Sequence, residues 1–230
     1  MVAGLGAYAW DSLRPHAAKP APPSMASVWR PVEVTPVPSS AVPESDLVIP
    51  ASAPVRLEIP NIGFDSSKLA GKGTSNPIQQ WTKAMNDAKN GVVDPPGKWE
   101  SSLVWDSTVA GGGLFGTDAQ SSGRILAHTT PWTWDKDKQG AFQHLRDVHV
   151  GNSVAITTEK GRLCYNVVKL DSVLKPQVNV VYSKGEDGII KGIVYLITCD
   201  RPLDYGEGAT THNLVVTLQL NQQQTNTGSC

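Results

Sequence analysis

The chain has 230 residues, 40% of them hydrophobic and 18% charged, with a formal net charge of -1, enough apolar material for one buried core in one domain. Without Lys/Arg clusters it lacks the electrostatic footprint that nucleic acid or an anionic membrane surface demands, so neither is expected as a partner. Cysteines stand at 164, 199 and 230 with no CxxC pair and no His at metal-ligand spacing, so neither a zinc site nor a disulfide framework is expected.

Met1 to Trp10 is apolar but ten residues long, where a membrane span needs ~20, and no basic residue precedes it as in a signal peptide. As written the chain reads as soluble, meeting a membrane only if this stretch is the tail of a longer N-terminal anchor. Pro15 to Pro60 holds eleven of the seventeen prolines among Ala, Ser and Val, a composition that favours extended, solvated backbone. Residues 1–54 therefore read as an apolar stub and a Pro-rich stalk or disordered tail, residues 55–221 as the folded domain and 222–230 as a polar tail.

Val55 to Pro60 alternates apolar and polar residues before a proline stop and predicts the first strand. Asn76 to Asn90 carries Ile78, Trp81 and Met85 at helical spacing and predicts a helix. Gly91 to Gly123, with Pro95-Pro96 and Gly111-Gly112-Gly113, reads as a long connecting loop. Ala141 to Asp147 places Phe142 and Leu145 three apart and predicts a short second helix ended by Gly151. Val154 to Thr158, Leu163 to Val168, Ile193 to Thr198 and Leu214 to Leu220 are short Val/Ile/Thr/Tyr-rich strands. The fold class expected is mostly β, a closed antiparallel sheet with a few short helices.

Two residues carry the candidate chemistry. Cys199 ends the apolar run Leu196-Ile197-Thr198 and is followed by Asp200 and Arg201, while His128 ends the run Gly123-Arg124-Ile125-Leu126-Ala127. A nucleophilic thiol needs an imidazole to take its proton and a donor for the oxyanion formed on attack. Cys164, inside the strand Arg162 to Val168, reads as a buried inert thiol, and Cys230 has no assigned role. His16, His144 and His149 read as surface or loop residues, and Trp132 and Trp134 as partly buried loop aromatics or a wall of the substrate groove.

A His at a strand end, Phe142-x-x-Leu145 about a dozen residues later, and Tyr195-Leu196-Ile197-Thr198-Cys199 near the C-terminus together resemble the sortases. The likeness runs from about Val55 to Leu220. Arg56-Leu57-Glu58-Ile59-Pro60 is similar to the family's opening strand, and Val93-Asp94-Pro95-Pro96 with the Pro-rich stalk is similar to the actinobacterial class E and F members.

The resemblance implies an eight-stranded antiparallel β-barrel and a cysteine transpeptidase acting outside the cytoplasm, at the cell surface or membrane. Cys199 would cleave a Leu-Pro-x-Thr-Gly-like sorting signal at the C-terminus of surface proteins. An amine of a cell-wall precursor or a pilin lysine would then resolve the thioester. His128 would protonate the leaving amine and deprotonate the incoming one. With ordinary pKa values of about 8.5 for a thiol and 6.5 for an imidazole, only roughly 1% of sites hold thiolate and imidazolium together, so neighbouring groups must raise that fraction or the enzyme is slow. The mechanism calls for no cofactor or metal; some family members bind calcium through loop carboxylates, for which Asp135 and Asp137 are too few.

Sortases also carry an Arg on the strand after the Cys loop, where this chain reads Thr210-Thr211-His212-Asn213-Leu214-Val215-Val216. Thr211 or His212 takes that position depending on register, and neither offers a permanently charged fork of donors. Arg201 is the substitute oxyanion donor, with an ordinary surface Arg paired to Asp200 or Asp204 as the alternative. The missing Arg leaves room for a weakened sortase-like barrel that binds sorting signals without turnover. An L,D-transpeptidase matches the Cys199 and Arg201 spacing but lacks its His-Gly pair beside the Cys.

Overall fold

The computed structural model describes residues 46–72, 77–82, 103–129, 140–177, 191–200 and 211–230, all within the unit Glu44–Cys230. Among these residues nine strands form one mixed sheet: β1 (Pro54–Ile59), β2 (Phe64–Asp65), β3 (Ile78–Trp81), β4 (Leu103–Asp106), β5 (Gly123–Leu126), β6 (Ser153–Thr158), β7 (Arg162–Leu174), β8 (Ile193–Cys199) and β9 (His212–Leu220). Their order across the sheet is β2-β1-β6-β7-β9-β8-β5-β4-β3. No helix among the described residues is long and apolar enough to cross a membrane.

The mostly β expectation holds, but the closed, antiparallel, eight-stranded barrel does not. Two pairs, β3 with β4 and β5 with β8, run parallel, and no ladder joins the end strands β2 and β3. The parallel pair β5/β8 follows from chain length. The segment between them contains β6 and β7 and is long enough for a crossover, whereas antiparallel neighbours need only a hairpin.

The sheet curls because one cluster collects side chains from strands at both of its ends. Leu57 and Ile59 of β1 and Ile78 of β3 join Leu103, Ile125, Ile156, Leu163, Val194, Leu196, Val216 and Leu218 there, with Phe142 and Leu145 from the connection after β5. Burying each Leu, Ile or Val contributes about 1.5–3 kcal/mol. Alternation sends the neighbouring residues to the other face, where Trp81, Val104, Leu126, Ile193, Tyr195, Ile197 and Val215 form a second cluster. Packing extends upstream of β1: Ile49 is buried, and Ser52 bridges Phe115.

Three further expectations change. Within the predicted helix of Asn76 to Asn90, Ile78–Trp81 is a strand; residues 83–90 lie outside the described part. Ile78 and Trp81 are both buried, so their spacing of three, which suggests a helix, comes from burial of the strand's two ends by different clusters. The predicted loop of Gly91 to Gly123 contains β4, all four of whose residues are buried. Ala141 to Asp147 forms turns and the 3₁₀ segment Leu145–Asp147 rather than an α-helix, although Phe142 and Leu145 are core residues as expected.

The cysteine reading is also corrected. Cys164 and Cys230 form a disulfide across 66 positions, with Cα atoms 5.3 Å apart. Cys164 is thus no inert thiol, and Cys230 has a partner. The polar tail makes this possible by folding into a helix, α1 (Gln222–Thr227). Asn221 caps it by accepting from the N–H of Gln224, and Gly228 ends it at φ 68°, a left-handed conformation that suits glycine. Buried Thr225 accepts from the Cys164 N–H at 3.0 Å, and the Asn221 N–H donates to the Cys164 carbonyl at 2.8 Å. Both backbone groups of Cys164 are therefore paired with the segment that carries Cys230.

Candidate active site

The parallel register of β5 and β8 sets Leu126 beside Ile197. The ladder continues past the end of β5, since the Ala127 N–H donates to the Ile197 carbonyl at 3.1 Å. Two residues beyond Leu126, the same register brings His128 level with Cys199. An antiparallel pairing would instead have set the end of β5 against the start of β8, seven residues or roughly 20 Å away.

Hydrogen bonds hold the backbone on both sides of His128. The Thr198 hydroxyl donates to the Ala127 carbonyl at 2.8 Å. Thr129 Oγ1 lies 2.7 Å from Thr198 Oγ1 and donates to the Cys199 carbonyl at 2.6 Å. Both Thr residues are buried, so this network ties the two strand ends together where unmatched polar groups would be costly. From the other side, the Phe142 N–H donates to the His128 carbonyl at 3.0 Å, and the Gly140 N–H to that of Thr129 at 3.2 Å. A Cβ at Gly140 would come within 2.2 Å of the His128 carbonyl oxygen, so this approach requires glycine.

His128 is 6% exposed. Cys199 is partly exposed and is the one free cysteine of the chain. The adjoining Asp200 is nearly buried. Its carboxylate accepts from Arg146, including Nε at 3.1 Å, and from the Ser172 hydroxyl. Its N–H donates to the His212 carbonyl at 2.9 Å. Arg146 is thus a partner of Asp200, reaching in from the 3₁₀ segment. This link between the Phe142-x-x-Leu145 turn and the residue after the thiol was missed in the sequence, where Asp200 was matched only with its neighbour Arg201.

Arg201 lies outside the described residues, as do Asp204, Trp132, Trp134, Asp135, Asp137, His16 and Val93 to Pro96. His144 is exposed and pairs with Asp147 at 3.1 Å, and His149 is exposed. Across from the thiol, Cys199 pairs with Asn213. His212 alternates to the opposite face, its Nδ1 2.9 Å from Thr211 Oγ1. Among the described residues no group of three His, Cys, Asp or Glu is placed to hold a metal ion.

This arrangement supplies a thiol, an imidazole level with it, and an anchored backbone around both, the elements of nucleophilic acyl transfer. Residues 117–221 match the family model described as Sortase domain. Sortase C-1 from Actinomyces oris is 18% identical, over 72% of each chain, with a TM-score of 0.43. Sortase A from Corynebacterium diphtheriae is 18% identical over 75% of this chain and 61% of its own, with a TM-score of 0.44. Group B Streptococcus pilus island 1 sortase C2 is 19% identical over 74% of each chain, with a TM-score of 0.42. No curated protein sequence matches the chain.

Proposed function

The chain belongs to the sortase family, and from that premise we propose that it cleaves a Leu-Pro-x-Thr-Gly-like signal on surface proteins and transfers the acyl group to an amine. Cys199 attacks the Thr carbonyl, forming a C–S bond. The Thr–Gly C–N bond breaks as His128 protonates the leaving amine. An amine of a cell-wall precursor or a pilin then attacks the thioester, His128 takes its proton, and the thiol is released. Arg201, two residues after the thiol in the sequence, is a donor for the oxyanion, and the class E or F assignment rests on the stalk and on Val93 to Pro96.

The observation that carries this reading is the parallel β5/β8 register, which levels His128 with the single free thiol. The disulfide adds independent support for a site of action outside the cytoplasm, because such bonds persist in oxidising compartments. A second reading, a barrel that binds sorting signals with little or no turnover, is favoured by the uncharged Asn213 opposite Cys199.

Incubation with Leu-Pro-x-Thr-Gly and Leu-Ala-x-Thr-Gly peptides plus an amine, followed by intact-mass measurement, separates the two. Turnover predicts an acyl adduct on Cys199 that is absent from Cys199→Ala and is released by the amine. If the wild type and Cys199→Ala give the same spectra across the panel, the enzyme reading is lost.

A further inference from the structure

Asn213 has no role in the chemistry so far, yet the ladder sets it directly opposite the nucleophile. The Asp200 N–H donates to the His212 carbonyl, which makes Asp200 and His212 a hydrogen-bonded pair of the antiparallel ladder. Alternation then makes Cys199 and Asn213 a non-hydrogen-bonded pair. In such pairs facing side chains approach most closely, with Cβ atoms about 4.5–5.5 Å apart. The next pair of that kind, Ile197 with Val215, packs within the second cluster, so Cys199 and Asn213 share that face.

Asn213 is 7% exposed, and among the described residues its side-chain amide makes no hydrogen bond. Its amide nitrogen and oxygen are not among the fully buried, unpartnered polar atoms of the fold, so they stay accessible to a group arriving beside the thiol. The side chain is short and is set by a regular strand. A donor placed this way suits charge that develops only during reaction.

We infer that Asn213 is a catalytic residue whose Nδ2–H donates to the oxygen of the scissile carbonyl as Cys199 attacks it; this rests on the reading of Cys199 as the acyl-transfer nucleophile. As the C–S bond forms, the π pair of the carbonyl moves onto oxygen, which accepts the Asn213 hydrogen bond. When the C–N bond breaks, the pair returns to the carbonyl and the amine leaves with the proton from His128. Asn213 gives up no proton and is unchanged through the cycle. The donor is neutral, and its Oδ1 also accepts, so the same side chain can hold a substrate N–H.

The test measures two rates at Cys199 in the full chain by intact mass. One is acylation by whichever peptide of the two signal types modifies the wild type; the other is alkylation by iodoacetamide, a displacement at a saturated carbon that develops no oxyanion. Asn213→Ala and Asn213→Asp are expected to slow acylation about 10²–10³-fold, as loss of one oxyanion donor does elsewhere, with alkylation at the wild-type rate. Equal loss of both rates would mean that Asn213 acts only through the thiol or the fold and would overturn the proposal. Unchanged acylation in both variants would overturn it too, leaving the transpeptidase reading intact. A wild type that alkylates yet accepts no acyl group from any peptide would overturn that reading, and this proposal with it.

Discussion

The two ends of strand β9 are secured by opposite means. At Leu220 the chain passes directly into α1, which the Cys164–Cys230 disulfide and the paired backbone of Cys164 fix to β7. At His212, eight residues and roughly 26 Å away, nothing covalent holds the strand. There the Asp200 N–H holds the His212 carbonyl, and Asp200 and the ends of β5 and β8 are fixed in turn by Arg146 and Ser172 and by the Thr129–Thr198 network. The difference shows how rigidity and reactivity are divided in this fold. The covalent tie occupies the end without chemistry, while the reacting end is positioned by hydrogen bonds that leave one thiol and one amide open.

The loss of acylation expected for Cys199→Ala and Asn213→Ala is the largest consequence of this division, because both act at the open end. Cutting the staple tests the other half. By the chain-entropy argument, a cross-link over 66 positions contributes up to about 4 kcal/mol. Cys230→Ser is expected to lose most of that in urea or thermal unfolding while its folded fraction keeps wild-type acylation. A Cys230→Ser that is as stable as the wild type, or that is inactive when folded, would break the comparison.

Arg146→Ala probes the polar ties at the reacting end. It removes a charge-assisted bond from a nearly buried carboxylate, but Arg146 is half exposed, so the expected cost is about 1–2 kcal/mol. Measured together with Ser172→Ala, the two losses should fail to add, because both groups bond the same carboxylate. Simple additivity would mean that Asp200 is held by other means.

The smallest effect lies far from both ends, where the hydrogen bonds from Arg56, then those from Ser67, hold the Asp65 carboxyl well below the usual carboxylate range. A lowered folded-state pKa gives stability that is fully present above the ordinary value of about 3.9 and is lost as pH falls through the lowered one. Arg56→Ala should bring the Asp65 titration, followed by NMR, back toward the ordinary value and flatten the acid limb of the stability curve. The stability that the flattened limb no longer gains is lost near neutral pH, a small amount because the Arg56 side chain is 40% exposed and its charge is screened.

What could be read in the sequence follows the strength of the period-two signal. β1, β6, β8 and the first half of β7 are dense in β-branched residues and stand out. The second half of β7, Lys169 to Leu174, is half exposed and polar, so its alternation is muted and only the pairing with β9 reveals it. β9 was recognised from Leu214, where the apolar run begins. The strand starts two residues earlier, in polar His212 and Asn213, so the pairing of Asn213 with Cys199 lies outside the apolar run and is invisible to its alternation. His128 and Cys199 were legible because each closes an apolar run at a strand end, a pattern local in sequence. Their alignment depends on the parallel pairing of strands some seventy residues apart, which no local pattern encodes. The disulfide was hidden for a related reason: its second cysteine lies beyond a Gln/Asn/Thr segment whose helix depends on capping and on Thr225 docking rather than on an apolar stripe.

With two of its three sulfurs bonded to each other, the folded chain presents a single sulfhydryl. A maleimide dye taken up mole for mole therefore counts competent nucleophiles directly, in any preparation and without a substrate. Label beyond one equivalent reports that the far bridge has opened, so the same titration monitors both the reactive group and the integrity of the scaffold.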